Sequence, residues 1–187
     1  MKLLSQFRNS EGGMERIVIV DGNDNLIGEE EKEKCHDGDG ILHRGFLSMV
    51  FNGTGELLLA RRSEKKMLWP GFWDGTVASH VWIEEDYVKA SKRRLIQEIG
   101  LETNNIKYLF KFQYHVKYKN IGSENEICAV TMVDGIDTER IFINNKEISA
   151  IKAITPRALM EDIRKNGNKY TPWLILAMEH MKQRRLL

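Results

Sequence analysis

Between Trp69 and Gly100 the chain reads Trp69-Pro70-Gly71-Phe72-Trp73, then Thr76-Val77-Ala78-Ser79-His80, then a periodic segment carrying Arg93, Arg94 and Glu98. No other stretch limits the fold as strongly. Pro70 fixes its own φ and Gly71 accepts the positive φ of a sharp reversal, so Trp-Pro-Gly-x-Trp is a rigid aromatic corner. Beyond it the pattern predicts a strand from Asp74 to Trp82. A helix is predicted from Glu85 to Ile99, with Val88, Leu95 and Ile99 on one stripe, acids in its first turn and Gly100 as its stop. The other segments have to serve as scaffold or ligands for this strand, loop and helix.

The chain has 187 residues, 42% of them hydrophobic, which is enough for one well-buried core. This predicts one domain over residues 14–187, preceded by a loose polar tail from Met1 to Gly13. Lys and Arg number 28 against 27 Asp and Glu, a formal charge of +1. No global field then draws the protein to nucleic acid or an anionic membrane, and any anion site is local. Cys35 and Cys128 lie far apart without metal-type spacing, as expected in a reducing cytosol. The apolar runs are too short for a membrane span and the N-terminus lacks a signal-peptide core, so a cytoplasmic protein is expected, a monomer or weak homodimer.

In chain order, Arg16 to Val20 is a clean β run, Asp21 to Asn25 a turn, and Gly28 to Lys34 a charge run that reads as a solvated loop or short helix. His36 and His43 flank a glycine-containing loop that can fold them toward one point. Arg44–Phe51 and Glu56–Arg62 read as strands joined in a hairpin by Asn52-Gly53-Thr54-Gly55. Arg61 to Lys66 places four cations in six residues, either a solvated loop or an anion site. From Ile106 to Tyr118 the even positions are apolar or aromatic and most odd ones polar, a two-faced strand. The next strand, Glu124 to Val133, starts with Glu124 and Glu126 on one face, about 7 Å apart along it. Such a pair either solubilises an edge or shares a cation, and the supply of histidines favours the cation. Ile148–Ile154 is a strand, and Thr155-Pro156 and Thr171-Pro172 start helices running to about Lys165 and Arg184. The sum is an α+β sandwich. Its strand, loop and helix ending in an acid suit a divalent cation held against a diphosphate.

The helix segment resembles a degenerate Nudix box, the Gly-x5-Glu-x7-Arg-Glu-x-x-Glu-Glu-x-Gly pattern, with Ser79, Glu85, Arg93-Arg94, Gln97-Glu98 and Gly100 at its positions. Arg94 and Gln97 stand where Nudix hydrolases carry metal-binding glutamates. As a set these departures resemble the type I isopentenyl-diphosphate isomerase family, over about Arg16 to Met181. That resemblance implies a Nudix-type α/β/α sandwich with a mixed central β-sheet. It implies one Mn²⁺- or Zn²⁺-type ion on His36, His43, His80, Glu124 and Glu126, a choice that imidazole and carboxylate donors support. A second cation, Mg²⁺, would sit between Glu98 and a small-molecule diphosphate substrate gripped by Lys32, Arg62, Lys66 and Arg94. For a double-bond shift, Glu126 beside Tyr114 would serve one face of the substrate, and Trp173 would lie against the developing carbocation. Without the resemblance, core packing explains Tyr114 and Trp173 equally well.

The family carries its catalytic cysteine where this chain has Ala78, and a proline where it has Val81. Alanine carries no proton, which leaves a water or the hydroxyl of Thr76 or Ser79 as substitutes. Cys128 reads as a buried core thiol and Cys35 adjoins a ligand histidine. Three functions follow: an isoprenoid-pathway isomerase weakened by Ala78, a Nudix hydrolase of a prenyl or nucleoside diphosphate, or a diphosphate-binding protein without chemistry.

Overall fold

A computed structural model describes residues 14–187; the tail expected over Met1–Gly13 lies outside them. The central strand is β3 (His43–Asn52), apolar on both faces because both are covered. It pairs in parallel with β8 (Gly122–Ile136), which pairs antiparallel with β7 (Lys107–Tyr118). On its other edge lie β1 (Arg16–Val20) at one end and β6 (Val77–His80) along the middle, both antiparallel, and β2 (Leu26–Glu31) pairs with β1. A second group, β4 (Leu57–Arg62), β5 (Trp73–Asp74) and β9 (Ile148–Ile154), joins β3 only at Phe51–Leu57.

Helices cover both faces. Ala90, Leu95 and Ile99 of α2 (Tyr87–Ile99) pack on Phe46, Val50, Ile127 and Ala129. Leu159 of α3 (Pro156–Asn166) and Trp173, Leu174 and Met178 of α4 (Pro172–Gln183) pack on Leu47, Phe110, Phe112 and Val130. This is the expected α/β/α sandwich with a mixed sheet. Among the described residues no helix is long and apolar enough to cross a membrane.

Several local expectations change. The Asn52–Glu56 turn forms, with Asn52 Oδ1 accepting from the Thr54 and Glu56 amides, but the hairpin opens beyond it because β6 takes the β3 edge and β9 takes β4. The strand expected from Asp74 to Trp82 splits at Gly75 and Thr76, where the chain crosses between sheet groups. The Thr76 hydroxyl ties them, donating to the Leu58 carbonyl (2.6 Å) and accepting from the Val50 amide (2.9 Å). The charge run is strand β2 followed by α1 (Lys32–His36), since Arg16 draws the Glu29 carboxylate to within 2.7 Å across the ladder. Helix α2 has no acid in its first turn: Asp86 caps it, accepting from the Lys89 amide, and Val88 is only half-buried. A bulge at Tyr108–Phe110 breaks the alternation of β7, leaving Tyr108 46% exposed and Leu109 against the core. The aromatic corner is as expected, with Gly71 at φ +75°, and Trp69 itself takes φ +47°.

Candidate active site

Strand register builds the site. Across three neighbouring strands the facing residues are His43, Glu126 and Tyr114; one pair deeper they are His80, Gly45, Cys128 and Phe112. Period-two alternation puts Glu124 and Glu126 on that same face, and α1 carries His36 above it. The three imidazoles meet with ring centroids 4.9, 4.9 and 5.1 Å apart. Gly45 is required for this meeting: a β-carbon there would collide with the Glu126 carboxylate, which lies across β3.

The donors converge. His36 Nε2 is 3.0 Å from Glu124 Oε2, and His43 and His80 Nε2 are each 3.4 Å from Glu126 Oε1. His36 Nδ1 contacts the Lys32 carbonyl at 2.6 Å and His43 Nδ1 the Ile41 carbonyl at 2.7 Å. A carbonyl only accepts, so each Nδ1 donates, and the neutral ring turns the Nε2 lone pair inward. Ligand atoms of His36, His43, His80 and Glu124 all lie within 4.8 Å of one another. Among the described residues the buried side-chain polar atoms without a hydrogen-bond partner are His43 Nε2, His80 Nδ1 and Glu124 Oε2, all from this cluster. Each orphan costs roughly 1–3 kcal/mol, so the donor set fits an ion that would satisfy it.

Protons are redistributed in this cluster. Burial works against charge on His36, yet the Glu124 carboxylate outweighs it and raises the imidazole pKa. Burial first, then the neighbouring His36 and His43, hold His80 well below the ordinary histidine value. Burial also opposes charge on Glu124, but His36 prevails and lowers it; burial and then Glu124 raise Glu126. Tyr114 donates its hydroxyl to Glu126 Oε2 at 2.6 Å, and burial followed by the Glu126 charge keeps that phenol protonated far above its usual range.

The cluster floors a cavity of about 310 Å³ walled by Tyr114, Ala78, Ser79, Cys128 and Trp173. Trp173 is anchored by its indole N–H, which donates to Asp74 Oδ1 at 2.8 Å. Thr171 also donates to Asp74 Oδ1 rather than capping α4 through its side chain. Thr76 is fully buried and its hydroxyl committed; Ser79 reaches the cavity. Cys128, buried in the core, shares a face with Glu126 on β8, with β3 between it and Ala78 on β6. Burial, then Glu126, holds its thiol protonated.

Cations line the same cavity, the Arg62 guanidinium lying 5.2 Å from the centre of the Trp173 ring. Lys32, Arg62 and Lys66 are there, with Lys65 of the same basic run and with Lys146, which sequence reasoning passed over. Arg62 is fixed from behind, donating to the Leu68 and Trp69 carbonyls and to Asp74 Oδ2 at 3.2 Å. Lys32 donates to Glu15 Oε2 at 2.8 Å. Arg94 does not line this cavity; its guanidinium lies 2.7 Å from Glu98 Oε1 and 3.3 Å from Glu147 Oε2. Asp74 and Glu98 border an adjoining space of about 10 Å³, with Arg62, Lys66, Ala78 and Glu147 common to both spaces. Asp74 and Glu147 were also missed. Asp74 is recognisable only as an acid in an apolar strand, and Glu147 sits in an ordinary polar turn.

The NUDIX domain family matches residues 41–174. The chain is 39% identical over 163 residues to an isopentenyl-diphosphate Δ-isomerase of Photorhabdus laumondii, covering 86% of this chain and 90% of the relative. An isopentenyl-diphosphate Δ-isomerase of Haloarcula marismortui is 32% identical over 182 residues, 93% and 95% of the two chains. In fold it is similar to a crystal structure from Deinococcus radiodurans, DR0079, with a TM-score of 0.69, 20% identity, and 89% and 98% coverage. Register, helix layers and sequence relatives agree: the chain belongs to the isopentenyl-diphosphate isomerase family of NUDIX-domain enzymes.

Proposed function

We propose that the protein interconverts isopentenyl and dimethylallyl diphosphate, at a rate held down by Ala78. One observation carries this reading: the His–Glu cluster, Tyr114, Trp173 and the cations Lys32, Arg62 and Lys66 all border a single cavity. Bound at His36, His43, His80, Glu124 and Glu126, a Mn²⁺- or Zn²⁺-like ion would ease ionisation of Glu126, while Mg²⁺ at Glu98 would neutralise diphosphate charge.

The chain's own groups do the rest. Lys32, Arg62 and Lys66 grip the diphosphate; Arg94 reaches it by leaving Glu98 and Glu147. One proton is added to the terminal methylene carbon, positive charge develops on the tertiary carbon, and one proton leaves the neighbouring methylene on the opposite face. Glu126, hydrogen-bonded to Tyr114, handles one transfer. Trp173 offers its ring to the cation. The other transfer needs a group at position 78, where only a methyl stands, so a water or Ser79 substitutes poorly. Hydrolysis at phosphorus is the weaker reading, because Arg94 and Gln97 replace acids that it uses. Both cysteines are free, in keeping with action in the cytoplasm.

Isopentenyl and dimethylallyl diphosphate with Mg²⁺ are expected to raise the melting temperature, and ADP-ribose or a nucleoside diphosphate to do so little. An equal shift with the nucleotides would move the assignment to the hydrolase.

A further inference from the structure

Glu147 occupies an unusual position for a residue in a polar turn. Its carboxylate lies on the wall of the main cavity and also borders the small space behind it. It forms an ion pair with Lys66 and lies 3.3 Å from Arg94 Nη2. These are two of the four cations assigned above to the diphosphate. Arg94 has two further side-chain partners, Glu98 and Gln97 Oε1 at 3.4 Å, whereas the amine of Lys66 pairs with this carboxylate.

Resting on that reading of the cavity, we propose that Glu147 is a built-in counter-anion that occupies Lys66 and Arg94 beside the diphosphate subsite and gives them up when substrate binds. While Lys66 and Arg94 are paired with Glu147 their charges are not free for a diphosphate, so the carboxylate competes with the substrate for them. Glu147 supplies one negative charge; a diphosphate supplies more, with more acceptor oxygens, and so wins the exchange. The same exchange works in reverse, since the returning carboxylate lowers the cost of product departure. Glu147 acts on binding through Lys66 and Arg94 and takes no part in proton transfer. Its backbone is held independently, the Glu147 amide donating to the Asn144 carbonyl and its carbonyl accepting from the Ser63 amide, so a side-chain change spares the turn. Its depressed carboxyl pKa, set by Lys66 and Arg94 against the opposing effect of burial, agrees with a charge that is present at neutral pH.

The test is calorimetric titration of inorganic pyrophosphate and of isopentenyl diphosphate into the full-length wild type, Glu147→Gln, Lys66→Met and the double variant, with and without Mg²⁺. Removing a competing anion predicts tighter binding by Glu147→Gln, by about tenfold, the equivalent of one partly buried ion pair. The gain should shrink in the Lys66→Met background and persist without Mg²⁺. Unchanged or weaker binding by Glu147→Gln overturns the inference, as does an effect seen only with Mg²⁺, which would make Glu147 a cation ligand instead. If the wild type binds neither ligand, the assignment of the cavity fails first, and that result is distinct from the others.

Discussion

Gly45 and Glu126 show what a single atom decides in this site. The Glu126 carboxylate crosses β3 only because residue 45 has no β-carbon. Gly45→Ala is expected to push Glu126 off both His80 and Tyr114, lowering turnover by at least roughly 10²-fold, the scale of losing one positioned acid or base. Metal content measured on the same variant should fall too; a variant with full metal and full activity would show that Glu126 has room to spare. Glu147 gives a pH signature. Burial opposes its charge, but Lys66 and Arg94 lower its pKa from 4.5 to about 2. A depressed carboxylate stabilises the fold above its unfolded pKa and loses that contribution as pH falls through the folded value. Denaturant titrations should find Glu147→Gln less stable than wild type at pH 6, on the order of 2 kcal/mol, with the gap closing between about pH 4.5 and 2. A gap that persists at pH 2 would contradict this assignment. The candidate ligand residues came from the family resemblance; the sequence alone offered two histidines around a glycine-containing loop and Glu124 and Glu126 on one strand face. Glu147 was not legible, because both its partners arrive from distant segments and nothing near Asn144 marks it.

Elements were legible where one periodicity ruled and illegible where the chain changes sheets. β1, β9, α3 and α4 match their expected spans within a residue or so, each bounded by a turn or by threonine and proline. The strand expected over Asp74 to Trp82 hid a sheet crossing, since Thr76 keeps the β pattern while its hydroxyl bonds to two different strands, β3 at Val50 and β4 at Leu58. Asp74 stands at that crossing and receives Arg62, Thr171 and Trp173, linking β4, β5 and the start of α4. Asp74→Ala strands a mostly buried guanidinium, and such a loss costs about 3–5 kcal/mol. Chemical denaturation should show that cost, and Trp173 fluorescence should shift as its anchor is lost. A cost below about 1 kcal/mol would mean that the Leu68 and Trp69 carbonyls alone hold Arg62.

For the molecule as a whole, the His–Glu cluster joins α1 to the three central strands, so an ion there ties the first described segments to the core. Chelation is expected to lower the melting temperature and to speed hydrogen exchange in α1 ahead of β8; uniform or absent change would place the ion elsewhere. The sandwich was readable from the order of strands and helices, yet the parallel pairing of β3 with β8 was not, because the hairpin signal at Asn52–Gly55 pointed to β4. At this scale the proposal is a family active site complete except at position 78. The direct measurement supplies isopentenyl diphosphate with Mg²⁺ and Mn²⁺ to wild type and Ala78→Cys, following dimethylallyl diphosphate and released phosphate in parallel. The account predicts little isomer and no phosphate from the wild type, and a gain of roughly 10²–10⁴-fold in isomer from Ala78→Cys. An Ala78→Cys protein that binds metal and substrate but stays inert, or a wild type that already isomerises at the rate of that variant, would contradict it.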